Sequence, residues 1–155
     1  MVIIEDTRQQ KGQHEIKHKH FDADGVKVIR CKLPFGDYAP PPKVAIDTKK
    51  GLEEICGNIC GAAAEHQRFK RECIAARDAG CKLFILVENA DGITDVSEVH
   101  TWVNPRTIQY PNCTQGEQLQ KAMQTMSKRY GVTFLFCSYE DSAKIIKGLL
   151  LEYGE

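Results

Sequence analysis

The run KLFILV at residues 82–87 constrains this chain most, because five apolar side chains follow its lysine without a break. Successive residues of a strand point to opposite faces, so such a run has to be covered on both sides, as happens inside a sheet layered with helices. VTFLFC at 132–137 reads the same way. Around these strands apolar residues recur at the helical period: Leu52, Ile55, Cys56 and Ile59; Phe69, Cys73 and Ala76; Leu119, Met123, Met126 and Tyr130. Strands alternating with helices predict an α/β fold with a mixed central β-sheet flanked by helices. At 155 residues the chain is long enough for one domain, 1–155, with a core of its own, and short for two.

Punctuation marks the remaining elements. Residues 2–5 form a short β-branched strand signal ending in Asp6-Thr7-Arg8, whereas 11–25 show no clear period. Asp24-Gly25 predicts a turn before an extended run over 26–33, and Gly36-Asp37 reads as the end of that extended segment. Pro40-Pro41-Pro42 cannot donate to a ladder and predicts a hairpin-like excursion between the strands carrying Asp37 and Asp47. Gly80 ends a helix over about 63–79, and 99–103 is expected to be extended, with Trp102 in the core or an interface. Thr114 and Glu117 have capping-box spacing, and Ser138 is expected to cap a last helix with Ala143, Ile146, Leu150 and Tyr153 inward.

Composition narrows the function. Formal net charge is zero, which argues against a protein that coats nucleic acid and leaves room for local positive fields. Such fields are offered by His14, Lys17, His18, Lys19 and His20, by Lys49 and Lys50, and by Arg68, Lys70, Arg71 and Arg77 on one helix. His14, His18 and His20 lack a cysteine or carboxylate at ligand spacing, and Cys56 and Cys60 lack a second pair, so neither group reads as a zinc site. The seven cysteines are scattered through apolar segments and read as buried free thiols. No stretch of about 18 apolar residues and no basic-then-apolar leader occurs, so a cytoplasmic protein is expected.

The chemistry concentrates in GDYAPPPKVAIDTKK, residues 36–50. Strand alternation puts Asp47 and Lys49 on one face and Thr48 on the other, and Asp37 follows a glycine ten residues earlier. Two carboxylates and an ammonium suit a hard divalent cation such as Mg²⁺ or Mn²⁺, which takes one or two carboxylates with water and phosphate oxygens. The lysine would orient water or neutralise charge on a phosphate.

Five stretches in order, IIEDTRQQ, LPFGDYA, KVAIDTKKGLEEI, HQRFKRECIAARDAG and KLFILVEN, resemble the nuclease domain of the XPF-type family, within the PD-(D/E)XK nuclease superfamily, over about residues 2–136. The resemblance implies a restriction-endonuclease-like core and a metal-dependent endonuclease acting on DNA. It implies that Asp37, Asp47, the Thr48 carbonyl and Asp6 serve Mg²⁺ or Mn²⁺, and that Lys49 is catalytic. Arg8, Lys50 and Arg68 would seat the DNA backbone, with Gln9 and Glu72 in support. Arg8 would face phosphate or Asp37, and Arg68 with Glu72 would otherwise form a plain i,i+4 ion pair. Asp47 stands where the family usually has Glu, and Thr48 where it has Arg, which removes a planar phosphate clamp that Lys50 does not replace. The family's eukaryotic members carry a helix-hairpin-helix module that this length does not accommodate, so a stand-alone domain is expected. Phosphate contacts predict a preference for strand geometry, in flap, fork or junction DNA of repair, recombination or replication. The resemblance also implies a homodimer, with Tyr139 and Leu151 as exposed contributors. The alternative is a non-catalytic DNA-binding or scaffolding subunit, toward which the departures at Asp47 and Thr48 are a mild step. A sequence-specific restriction-type enzyme ranks last, because no target-recognition segment is visible.

Overall fold

The computed structural model describes residues 1–8, 12 and 15–155, and Gln9 and His14 lie outside the described residues. The chain forms two compact units, Met1–Pro42 and Lys43–Glu155.

In the first unit β1 (Val2–Asp6) lies at the centre of a three-stranded sheet. It runs parallel to β2 (Lys27–Cys31), with Ile4 opposite Ile29, and antiparallel to β3 (Tyr38–Ala39), with Glu5 opposite Tyr38. The segment without a legible period contains a helix, α1 (Glu15–Ala23), which buries none of its residues. Polar and aromatic contacts hold it instead: His18 Nε2 is 2.5 Å from the buried Glu5 Oε2, and Phe21 meets the edge of Tyr38 at 6.0 Å. Asp37 does not end the extended segment. Gly36, with φ +75°, turns the chain so that Asp37 leads into β3.

The second unit has an all-parallel sheet in the order β4 (Val44–Lys49), β5 (Lys82–Glu88), β6 (Thr133–Cys137). The strands therefore belong to two small sheets, one mixed and one parallel, rather than to one central sheet. Likewise β3 pairs with β1 and β4 with β5, so the three prolines do not close a hairpin. β5 is buried from Leu83 to Val87, as its composition requires. Leu83, Ile85 and Val87 enter a core with Leu52 and Ile55 of α2 (Leu52–Cys60), Phe69 and Cys73 of α3 (Ala63–Asp78), and Leu119 and Met123 of α4 (Gly116–Tyr130). Phe84 points the other way and meets Tyr153 of α5 (Ser142–Tyr153) at 5.3 Å. Truncating the fully buried Ile85 to Ala is expected to cost about 3 kcal/mol.

Three boundaries depart from the sequence pattern. The segment expected to be extended at 99–103 is mostly a 3₁₀ helix, Val96–Thr101, started by the Asp95 carboxylate accepting from Ser97 N–H at 2.8 Å; Trp102 is buried as expected. α4 starts with Gln115, whose N–H donates to Gln118 Oε1 at 2.8 Å, in place of the Thr114–Glu117 box. At the first residue of the helix the backbones approach closely: a Cβ at Gly116 would lie 2.5 Å from the Val99 carbonyl oxygen and 2.7 Å from that of Trp102. Ser138 bonds Asp141 one turn before α5, and Ile145, Ile146, Leu149 and Tyr153 are its half-buried residues, whereas Ala143 and Leu150 are exposed. No helix among the described residues is long and apolar enough to cross a membrane.

Candidate functional site

In the second unit alternation along β4 does what the sequence predicts: Lys49 Nζ reaches 2.7 Å from Asp47 Oδ2, while Thr48 faces outward and is exposed. Lys49 is buried, 7% exposed at its side chain, and its ammonium lies 5.4 Å from the centroid of the Phe69 ring. The ring face is electron-rich, so it gives the cation a second partner. The contact to Asp47 is an ion contact without hydrogen-bond geometry, and buried Oδ2 has no hydrogen-bond partner among the described residues. With the Lys49 ammonium as its one charged neighbour, this oxygen keeps acceptor capacity for a further ligand.

α3 brings two more charged side chains within electrostatic range of Asp47. Glu72 is exposed as a residue, yet crowding of its carboxyl, and next the charge of Asp47, push its pKa up, with Lys49 and Arg68 opposing. Arg68 does not form the i,i+4 pair with Glu72. Its Nη2 binds Glu65 Oε2 at 2.9 Å, three residues back, and Glu72 and Asp47 act on it only through space. The Glu65-x-x-Arg68 spacing carried that signal. Under these acids the buried Cys73 thiol is pushed up to about 12, first by burial and then by Glu72 and Asp47.

In the first unit Asp6 is enclosed. Its Oδ1 accepts from Arg8 N–H at 2.7 Å and Arg8 Nε at 2.9 Å; Oδ2 takes Arg8 Nη2 at 2.6 Å and Leu33 N–H at 3.0 Å. Bonds from the Arg8 side chain hold its carboxyl far below the usual range. Arg8 also donates to the Leu33 carbonyl at 3.1 Å, and its pKa is raised by Asp6 and, more weakly, by Asp37. Asp6 N–H donates to the Asp37 carbonyl at 2.9 Å, which sets Asp37 beside the end of β1. The expectation that Arg8 faces Asp37 or phosphate thus acquires a third partner, Asp6, which takes most of its donors.

Lys50 follows β4; its N–H donates to Glu54 Oε2 at 2.6 Å, and its carbonyl accepts from the Tyr139 hydroxyl at 2.6 Å, a contact sequence spacing could not reveal. Gln9 lies outside the described residues. All seven cysteines are free, but Cys31 is exposed and Cys60, Cys81 and Cys113 are half-buried, so burial holds only for Cys56, Cys73 and Cys137. Among the described residues no three histidine, cysteine or carboxylate side chains gather at metal-ligand spacing. The donors on β4 are one carboxylate and backbone oxygen, which suit Mg²⁺ or Mn²⁺ better than a softer metal.

No curated protein matches the chain. Among solved structures it is similar to XPF from Aeropyrum pernix, with TM-score 0.50 and 19% identity over 98% of this chain and 65% of that one. A second structure, XPF from Aeropyrum pernix in complex with DNA, matches with TM-score 0.48 and 18% identity over 96% and 62%. The chain spans less than two thirds of the length of either solved chain. The likeness shows the fold, small sheets flanked by helices as in the XPF nuclease domain. The family model of the ERCC4 domain matches residues 5–149, nearly the whole chain, and the chain belongs to that family, as an XPF-type nuclease domain.

Proposed function

We propose that the protein is a metal-dependent endonuclease that hydrolyses phosphodiester bonds in DNA. The observation that carries this is the buried Asp47 Oδ2, 2.7 Å from the Lys49 ammonium and otherwise without a partner among the described residues. Asp47 and the Thr48 carbonyl of the second unit would hold Mg²⁺ or Mn²⁺; Asp37 and Asp6, which the family resemblance also assigns to metal, belong to the first unit. When bound, the ion supplies Lewis acidity and lowers the pKa of water. Lys49, fixed by Asp47 below and Phe69 beside it, would hold water in line or neutralise charge growing on the phosphoryl oxygens. Arg8, Lys50 and Arg68 would bind the phosphate backbone, which reads strand geometry and not base identity. The matched Aeropyrum pernix protein complexed with DNA is in keeping with that partner. Flap, fork or junction DNA is the substrate class we infer, and a homodimer the assembly, for which α5 offers exposed Leu150 and Leu151.

The test is cleavage of labelled duplex, flap, fork and single-stranded DNA in Mg²⁺ or Mn²⁺ by wild type, Asp47→Ala, Lys49→Ala and Asp37→Ala. Metal-dependent cutting lost in all three variants is the expected result. DNA binding by wild type with no cutting of any substrate would transfer the protein to the scaffolding reading.

A further inference from the structure

Two clefts of the second unit lie side by side beyond Lys49. The first, about 280 Å³, is lined by Lys50, Val103, Pro105 and Tyr139 among others; the second, about 560 Å³, by Arg106 and Tyr110. Glu53 borders both, and the segment that follows Trp102 contributes to each. Their rims carry side chains that a core would have claimed: Tyr139 is 52% exposed, Tyr110 55% and Val103 75%. Tyr139 is nonetheless held in place, since its hydroxyl donates to the carbonyl of Lys50, next to Lys49. Tyr110 has Arg106 at 5.2 Å from its ring centroid. Aromatic rings interleaved with cations, continuing from a phosphate-cutting site, are how proteins grip unpaired strands: each base has a face to stack, and the cations follow the backbone. A paired base in a duplex offers no free face to such rings. Glu53 and Asp91 add acceptors for exocyclic amino groups and keep the clefts from being a plain cationic surface.

We propose that the two clefts form one track for the single-stranded arm of a branched DNA, with Tyr139 and Tyr110 as stacking platforms and Lys50 and Arg106 as phosphate contacts. The track deepens the DNA-cutting reading above and rests on it for its direction away from Lys49. The test uses the full chain carrying Asp47→Asn, so that binding is read without cutting, and DNA duplexes with and without a single-stranded tail labelled with 2-aminopurine. Binding is expected to quench the tail probe. Tyr139→Ala and Tyr110→Ala should each restore its fluorescence and weaken tailed-DNA binding about tenfold, leaving blunt duplex unchanged. Tyr139→Phe, which loses the tether and keeps the ring, should retain most of the quench. Tyr110 is more than half exposed and lies outside the core cluster, so its variant guards against a misfolded Tyr139→Ala protein. Unchanged quench and affinity in both alanine variants would overturn the track while leaving metal-dependent cutting intact. A dimer lost in Tyr139→Ala with tail binding unaltered would overturn it too, assigning the ring to a contact between copies. Ring-dependent tail binding by a wild type that cuts nothing would support the track and sink the cutting reading, and absence of any DNA binding would sink both.

Discussion

Asp6 and Asp47 are both acids near the carboxyl end of a strand, and the structure treats them in opposite ways. Asp6 accepts four hydrogen bonds from Arg8 and Leu33, while Asp47 has the ion contact to Lys49 and, among the described residues, no bond of hydrogen-bond geometry to its buried Oδ2. An acid whose lone pairs are spent holds the backbone in place; one whose lone pairs are idle can take a ligand. By its contacts Asp6 is tied to its neighbours Arg8 and Leu33, whereas Asp47 keeps acceptor capacity for the metal proposed above.

The largest effect should come from separating chemistry from folding at Asp47. Removing its carboxylate alone strands a buried ammonium, so the single variant is expected to lose stability as well as cutting. The double variant Asp47→Ala/Lys49→Met lays an apolar chain on Phe69 and should melt close to wild type while its cleavage rate stays about 10³-fold down. Recovery of cutting along with stability would erase the contrast between the two acids. Next, Mg²⁺ at about 100 times its dissociation constant should raise the stability of wild type by about 2.7 kcal/mol. It should do nothing for the double variant, and differential scanning fluorimetry reads both.

For Asp6 the expected loss lies in folding and has a pH signature. Its folded pKa is depressed, so its contribution is present above the ordinary aspartate value, near 4, and fades as pH falls below that. Asp6→Asn should therefore melt several degrees below wild type at pH 7, with the gap closing in acid. A gap independent of pH would show that the carboxylate charge is not what holds Arg8. Glu72 carries the reverse sign, since its folded pKa is raised and its ionised form opposes folding. Glu72→Gln should melt slightly higher than wild type at pH 7, with no gain below about pH 4, where both states are protonated. The smallest effect belongs to the thiols. Maleimide at pH 8 should label exposed Cys31 first and leave Cys73, pushed up to about 12, untouched.

What the sequence made legible was whatever rests on short-range periodicity. β4, β5, β6, α2 and α3 declare themselves because buried faces repeat every two or every three to four residues, and the Asp47–Lys49 contact follows from alternation alone. α1 was illegible because it buries nothing: its anchors are His18 on Glu5 and Phe21 on Tyr38, which no period announces. The 3₁₀ helix before Trp102 and the later start of α4 depend on a backbone approach at Gly116 that is decided in three dimensions. Arg68 pairs with Glu65 and not with Glu72, although both spacings are permitted, and periodicity alone does not choose between them. The split of the strands into two sheets was equally out of reach, as apolar runs say how deeply a strand is covered and not which strand lies beside it.

The hydrogen at Gly116 leaves a mark on how this chain can vary. Any larger substituent would push a carbon to within 2.5–2.8 Å of three carbonyl oxygens, those of Val99, Trp102 and His100, which belong to the backbone and cannot rotate aside. A library covering every position should therefore show a sharp trough of tolerance at 116 beside permissive neighbours such as the exposed Glu117. Because α4 and the loop entering the aromatic clefts are joined there, lineages would be free to change what the loop carries but not how closely it sits against the helix.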